Sequence, residues 1–174
     1  MQWELITNII LISSLITLGF FVLLGLYQWI SRGSIKKVDP EILWMPLPLL
    51  LMALVYAIFL MFPVATRPNG SGESSFPSTH VMVVTTIYFM VTIIVPKYIK
   101  STFAQITVEL IIVILISLTC TGRIMAELHS LWDVIGGIVF AFIFSEIYYL
   151  AYRKGKKKNA KRIHQNHKQW NSML

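Results

Sequence analysis

Five apolar runs dominate this sequence, at about 5–30, 43–63, 79–96, 103–121 and 131–152. Each is close to the roughly 20 residues that a helix needs to cross the hydrocarbon core of a bilayer. A backbone in lipid must satisfy its own hydrogen bonds, so runs of this length and spacing predict an all-α, polytopic membrane helix bundle with about five transmembrane helices. Composition agrees. Of the 174 residues 56% are hydrophobic and the mean hydropathy is +0.68, beyond the range of a soluble domain. No basic segment leads the first run and no small-residue cleavage pattern precedes Arg32. It is therefore read as a retained helix rather than a secretion signal.

Basic residues set the expected threading. Of the 15 lysines and arginines, 13 fall in three places: Arg32, Lys36 and Lys37 after the first run, Lys97 and Lys100 between the third and fourth, and eight from Arg153 to Lys168. With five spans, all three places lie on one side. Basic flanks stay cytoplasmic, so the expected N-terminus is outside and the C-terminus cytoplasmic. Residues 1–152 then form a transmembrane domain and 153–174 a basic cytoplasmic tail. Such a tail can associate with anionic membrane lipids. No folded reader module accompanies its charge, so nucleic acid is not an expected partner. His164 and His167 in the tail are read as solvated residues rather than a weak metal site. The single cysteine, Cys120, excludes an internal disulfide and a cysteine-based metal centre.

Arg67 and Arg123 are left over, on the side where topology requires no cation. Three pieces of chain gather there: "TRPNG" with Arg67, "SFPSTH" with Ser78, Thr79 and His80, and "TGRIMAELHSLWDVIGG" with Arg123, His129 and Asp133. Arginine presents a planar fork of donors that matches phosphate oxygens. Pro77 suits the first turn of a helix, which would leave backbone N–H groups near Ser78 and Thr79 free to face an anion. Histidine suits nucleophilic attack or proton transfer near neutral pH. His129 and Asp133 are four residues apart, so a helix would place both on one face. The carboxylate could then accept from one ring nitrogen and leave the other free. Each residue alone has a plainer reading, as an interfacial histidine, a helix cap or a lipid-phosphate contact. Together they are more specific, because every outer basic residue and every histidine of the membrane region falls in the set.

These residues resemble the signature of the type 2 phosphatidic acid phosphatase superfamily, the integral-membrane branch related to vanadium haloperoxidases. Its motifs read Lys-x6-Arg-Pro, Pro-Ser-Gly-His and Ser-Arg-x5-His-x3-Asp. Arg67-Pro68 ends the first, Pro77-Ser78-Thr79-His80 follows the second with Thr79 for glycine, and Gly122-Arg123, His129 and Asp133 follow the third with Gly122 for serine. Leu60 stands where the first motif has lysine. Members commonly have six spans, so the resemblance implies that the first of those is absent here.

The resemblance implies an integral-membrane lipid phosphatase. His129 would attack phosphorus and form a phosphohistidine, Asp133 would orient it, and His80 would protonate the departing alkoxide. Arg67, Ser78, Thr79 and Arg123 would hold the phosphate oxygens, with no metal and no cofactor. Implied substrates are undecaprenyl pyrophosphate, phosphatidylglycerol phosphate and phosphatidic acid, met at the extracytoplasmic side of the cell membrane. A catalytically weak lipid-phosphate binder or transporter and a lipid phosphotransferase are the competing readings. Glu73 and Glu127 are read as solvated loop charges. Glu109 and Glu146 lie within spans without an assigned role.

Overall fold

The computed structural model describes the backbone of residues 2–171 and the side chains of residues 2–160. The chain runs α1 (Gln2–Arg32), a short 3-10 turn (Ile35–Lys37), α2 (Pro40–Leu43), α3 (Pro46–Met61), α4 (Thr79–Tyr98), α5 (Thr102–Met125) and α6 (Leu131–Asn171). Five stretches are long and apolar enough to cross a membrane: α1, α2 with α3, α4, α5 and the first 30 residues of α6. The five runs read from hydropathy are these helices.

Two boundaries differ from the sequence reading, each for a local reason. The second span is broken between Leu43 and Pro46, because proline has no N–H with which to continue the helix. The Ile42 carbonyl is taken instead by Met45 N–H at 3.2 Å. The last helix does not stop near 152 but runs on to Asn171. Lysine and arginine end an apolar run without ending a helix, since both are good helix formers. The change of composition at 152/153 is thus not a break in the backbone. His164 and His167 lie outside the residues whose side chains are described.

α4 is the axis of the bundle and packs against α6, α1, α5 and α3. Its sequence is apolar all round, as a helix enclosed by neighbours requires. Val81, Met82, Val84, Ile87, Met90 and Ile94 are buried along it. Met52, Met82 and Phe144 form one part of the core, Ile10, Val84, Tyr88 and Ile112 another. A third, with Phe21, Met45, Ile87, Met90 and Tyr148, lies toward the far end. Outward faces carry exposed Leu, Ile and Phe side chains. In water such a surface would aggregate; in a bilayer it meets hydrocarbon.

The two ends of the bundle are built differently. At one end Asp39 collects Gln28 Nε2 (2.9 Å), Arg32 Nη1 (3.1 Å) and Lys97 Nζ (2.7 Å). Burial pushes its acidity the other way, but the bonds from Lys97, Arg32 and Gln28 outweigh it and hold the carboxyl below the usual range. Tyr148 Oη donates to the Glu41 carbonyl at 2.6 Å. This polar knot ties α1, α2, α4 and α6 together. At the opposite end meet the starts of α1, α4 and α6, the end of α5 and the loop that follows α3.

Candidate active site

The loop from Phe62 to Ser78 is folded back on itself. Arg67 N–H donates to the Glu73 carbonyl and Ser75 N–H to the Ala65 carbonyl, both at 2.9 Å. Gly70 and Gly72, at positive φ, make the turn. The end of this loop is pressed onto α6. A Cβ on Gly137 would lie 2.8 Å from the Ser78 carbonyl and one on Gly136 would strike the Phe76 ring. Glycines are therefore what let the loop reach the start of α6.

Ser78 is the N-cap residue of α4, yet its hydroxyl makes no capping bond and is buried without a partner among the described residues. Its N–H donates to the Asp133 carbonyl at 2.9 Å. The expectation that this N–H faces an anion is thus corrected: it fastens α4 to α6. Pro77 precedes the cap rather than occupying the first turn. Thr79 opens the helix and lines the cavity described below. His80 follows, with Nε2 2.9 Å from Asn8 Oδ1 of α1.

α5 delivers Arg123 in its last turn. The chain then reverses at Glu127, which has φ 55, and the N–H groups of Leu128 and His129 return to the Arg123 carbonyl at 3.2 and 3.3 Å. This reversal sets His129 beside Arg123, both buried. His129 Nδ1 lies 2.9 Å from the Ser75 carbonyl. A carbonyl only accepts, so Nδ1 carries the proton and Nε2 the lone pair. Arg123 Nη2 stands 3.4 Å from that Nε2.

Asp133 is not the group that holds His129. Its Oδ2 is 4.0 Å from Nδ1 and accepts instead from Ser130 N–H at 2.7 Å, while Ser130 Oγ accepts from Asp133 N–H at 3.3 Å. This reciprocal pair caps α6. The orienting acceptor is the backbone of Ser75, which no reading of side chains could name.

Burial first, and then the Arg123 cation, push the His129 pKa down to about 4. Asp133 and the Ser75 carbonyl pull upward, and Arg67 adds to the depression. The imidazole is consequently neutral at neutral pH, the form with a nucleophilic lone pair.

A cavity of about 680 Å³ opens over these groups. Arg67, Ser75, Thr79, His80, Arg123 and His129 line its polar part, while Leu11, Leu15, Tyr56, Phe59, Leu60 and Val83 form an apolar wall. Ser78 and Asp133 stand behind this lining. Leu60 belongs to the wall although α3 ends one residue later, at Met61. Glu73 is more than a solvated charge: its carboxylate pairs with Arg67 Nη1 at 2.6 Å and it also lines the cavity. Glu127 is exposed, as are Glu109 and Glu146. Among the described residues no three His, Cys, Asp or Glu side chains cluster to hold a metal. Asn8 and Ser75 escaped the sequence reading, and Glu73 is read there as a solvated loop charge. Asn8 carried one weak signal, an amide leading into an apolar run.

Two arginines and two histidines over a trough that is half apolar, at one end of a bundle of membrane-length helices, define a membrane protein built to handle phosphate. The family model of the PAP2 superfamily matches residues 57–157, and the chain belongs to that superfamily, the type 2 phosphatidic acid phosphatases. Membership places it among phosphatases acting on phosphate esters, in a multi-pass membrane architecture. No curated protein and no solved structure is significantly similar to the chain.

Proposed function

We propose that the chain hydrolyses a lipid phosphate ester or lipid pyrophosphate at the outer face of the cell membrane, through a phosphohistidine at His129. One observation carries the reading. Arg67 Nε, Arg123 Nε and Ser75 Oγ, on residues that line the cavity together with His129, are buried without hydrogen-bond partners among the described residues, and His129 Nε2 bears a lone pair. An unpartnered buried polar group costs about 1–3 kcal/mol. A site that keeps three is suited to a ligand rich in acceptor oxygens, and a phosphoryl group is such a ligand. The apolar wall from Leu11 to Val83 suits the chain of a lipid.

In this mechanism His129 Nε2 attacks phosphorus as the bond to the lipid oxygen breaks, and the bonding electrons leave with that oxygen. His80 supplies the proton that makes it an alcohol, then takes a proton from the water that cleaves the N–P bond. Arg67 and Arg123 hold the oxygens on which charge collects. Asp133 contributes a negative charge near the imidazole and the cap of α6. Apart from Arg67 and Arg123, the basic residues among those described lie at the opposite end of the bundle, which supports an outward-facing site.

The test is phosphate release by the detergent-purified protein from phosphatidic acid, phosphatidylglycerol phosphate and undecaprenyl pyrophosphate. A chelator is present throughout and is expected to change nothing. Rapid quenching at alkaline pH should trap phosphohistidine in the wild type and none in His129→Gln, whose turnover should fall at least a hundredfold. Binding of the same lipids without release would favour the weak binder, and transfer to an added alcohol in preference to water would favour the phosphotransferase.

A further inference from the structure

α1 lies outside the matched segment 57–157, yet it reaches the site. Asn8 Oδ1 is 2.9 Å from His80 Nε2. Asn8, Leu11 and Leu15 fall at i, i+3 and i+7, one face of the helix, and Leu11 and Leu15 line the cavity. The approach depends on Gly122. A Cβ there would come to 2.5 Å from Thr7 Cγ2 and 3.5 Å from the Trp3 carbonyl. The superfamily motif has serine at this position. Thr7 is fully buried at the contact, and its hydroxyl bonds back to the Glu4 carbonyl at 3.0 Å, so it does not compete for His80.

We infer that Asn8 is a positioning residue for His80, selecting the ring nitrogen through which it exchanges protons with substrate and water. This rests on the acid–base role proposed above for His80. The amide oxygen of Asn8 accepts from Nε2–H and keeps that proton in place. Nδ1, which has no hydrogen-bond partner among the described residues, is then the working nitrogen. In the imidazolium, Nδ1–H passes its proton to the departing lipid oxygen as the P–O bond breaks, leaving a neutral ring with its lone pair on Nδ1. The same lone pair takes the proton of the attacking water, and Nε2–H stays on Asn8 through both half-reactions. No further reactant is required. The first helix thereby supplies a polar contact to the acid and an apolar contact to the lipid from one face.

The experiment compares two substrates that differ in their need for an acid. Short-chain phosphatidic acid expels an alkoxide and requires protonation. p-Nitrophenyl phosphate expels nitrophenolate, which leaves unaided. In Asn8→Leu, which keeps the side-chain bulk, turnover of the phosphatidic acid should fall about thirtyfold, part of the 10²–10⁴ typical of a general acid. The first-turnover burst of nitrophenolate should stay within about threefold of wild type. Asn8→Asp, which still accepts from Nε2–H, should return phosphatidic acid turnover to within about threefold. An equal loss on both substrates, or no loss on either, overturns the inference while leaving an active wild type and an inactive His129→Gln untouched. Inactivity of the wild type on both substrates overturns the phosphatase reading itself, and this inference with it.

Discussion

His129 is kept neutral by where it sits. Enclosure and a guanidinium 3.4 Å from its Nε2 work against a second proton, and the pKa falls from 6.5 to about 4. The consequence for stability has a definite sign. Above pH 6.5 the ring is neutral whether folded or unfolded, and it contributes no pH dependence. As the pH drops from 6.5 toward 4 the unfolded chain takes up a proton that the folded one refuses, so stability is lost across that window. A titration of the ring nitrogens by NMR, with His129 assigned through His129→Gln, should show a midpoint near 4. A midpoint above about 8 would make the group mostly a cation at neutral pH and deny it a free lone pair for attack in the free protein. The residues that gather at this end were readable from residue type and spacing. Their partners were not, because two of the deciding groups are the carbonyls of Ser75 and Asp133, and a sequence pattern carries no information on which carbonyl lies near. Asp133 shows the same limit: four-residue spacing places it near His129, but a carboxylate in the first turn of α6 is claimed by the N–H of Ser130.

At the scale of elements, hydropathy located the spans because in lipid the length of an apolar run and the length of a helix answer to the same bilayer thickness. It missed the interruption before Pro46 and the continuation of α6 to Asn171, since both follow from backbone preferences rather than from polarity. It also gave no sign that α1 belongs to the site, because a helix's partner is chosen by shape. That choice can be tested at Gly122. Gly122→Ala should destabilise the detergent-solubilised protein by about 1–3 kcal/mol, the usual cost of overpacking a close contact. Adding Thr7→Ala removes the methyl that the new Cβ meets, so the double variant should be more stable than the sum of the two single changes predicts. Thermal unfolding of the four proteins measures this, and strictly additive effects would show that α1 and α5 do not meet there.

For the whole molecule, the polar knot around Asp39 and the cavity over His129 lie at opposite ends of one bundle. Which end faces out can be read directly on intact cells. In a Cys120→Ser background, cysteine at Asn69, in the exposed loop beside Arg67, should react with a membrane-impermeant thiol reagent. Cysteine at Lys157 should react only after lysis. The reverse pattern would put the site in the cytoplasm and exclude substrates of the outer leaflet.

The uninterrupted α6 bears on how deep that site sits. Its helical rise of 1.5 Å per residue carries the chain about 33 Å from Leu131 to Arg153, close to the thickness of the hydrocarbon layer. Arg153, Lys154 and Lys156–Lys158 therefore emerge where the oil ends, on the same stiff rod that begins two residues after His129. Sinking the rod would drag cations into hydrocarbon, and raising it would pull Leu150 and its neighbours into water. The basic end of α6 thus works as a waterline, holding the His129 imidazole at a set height above the far surface of the membrane.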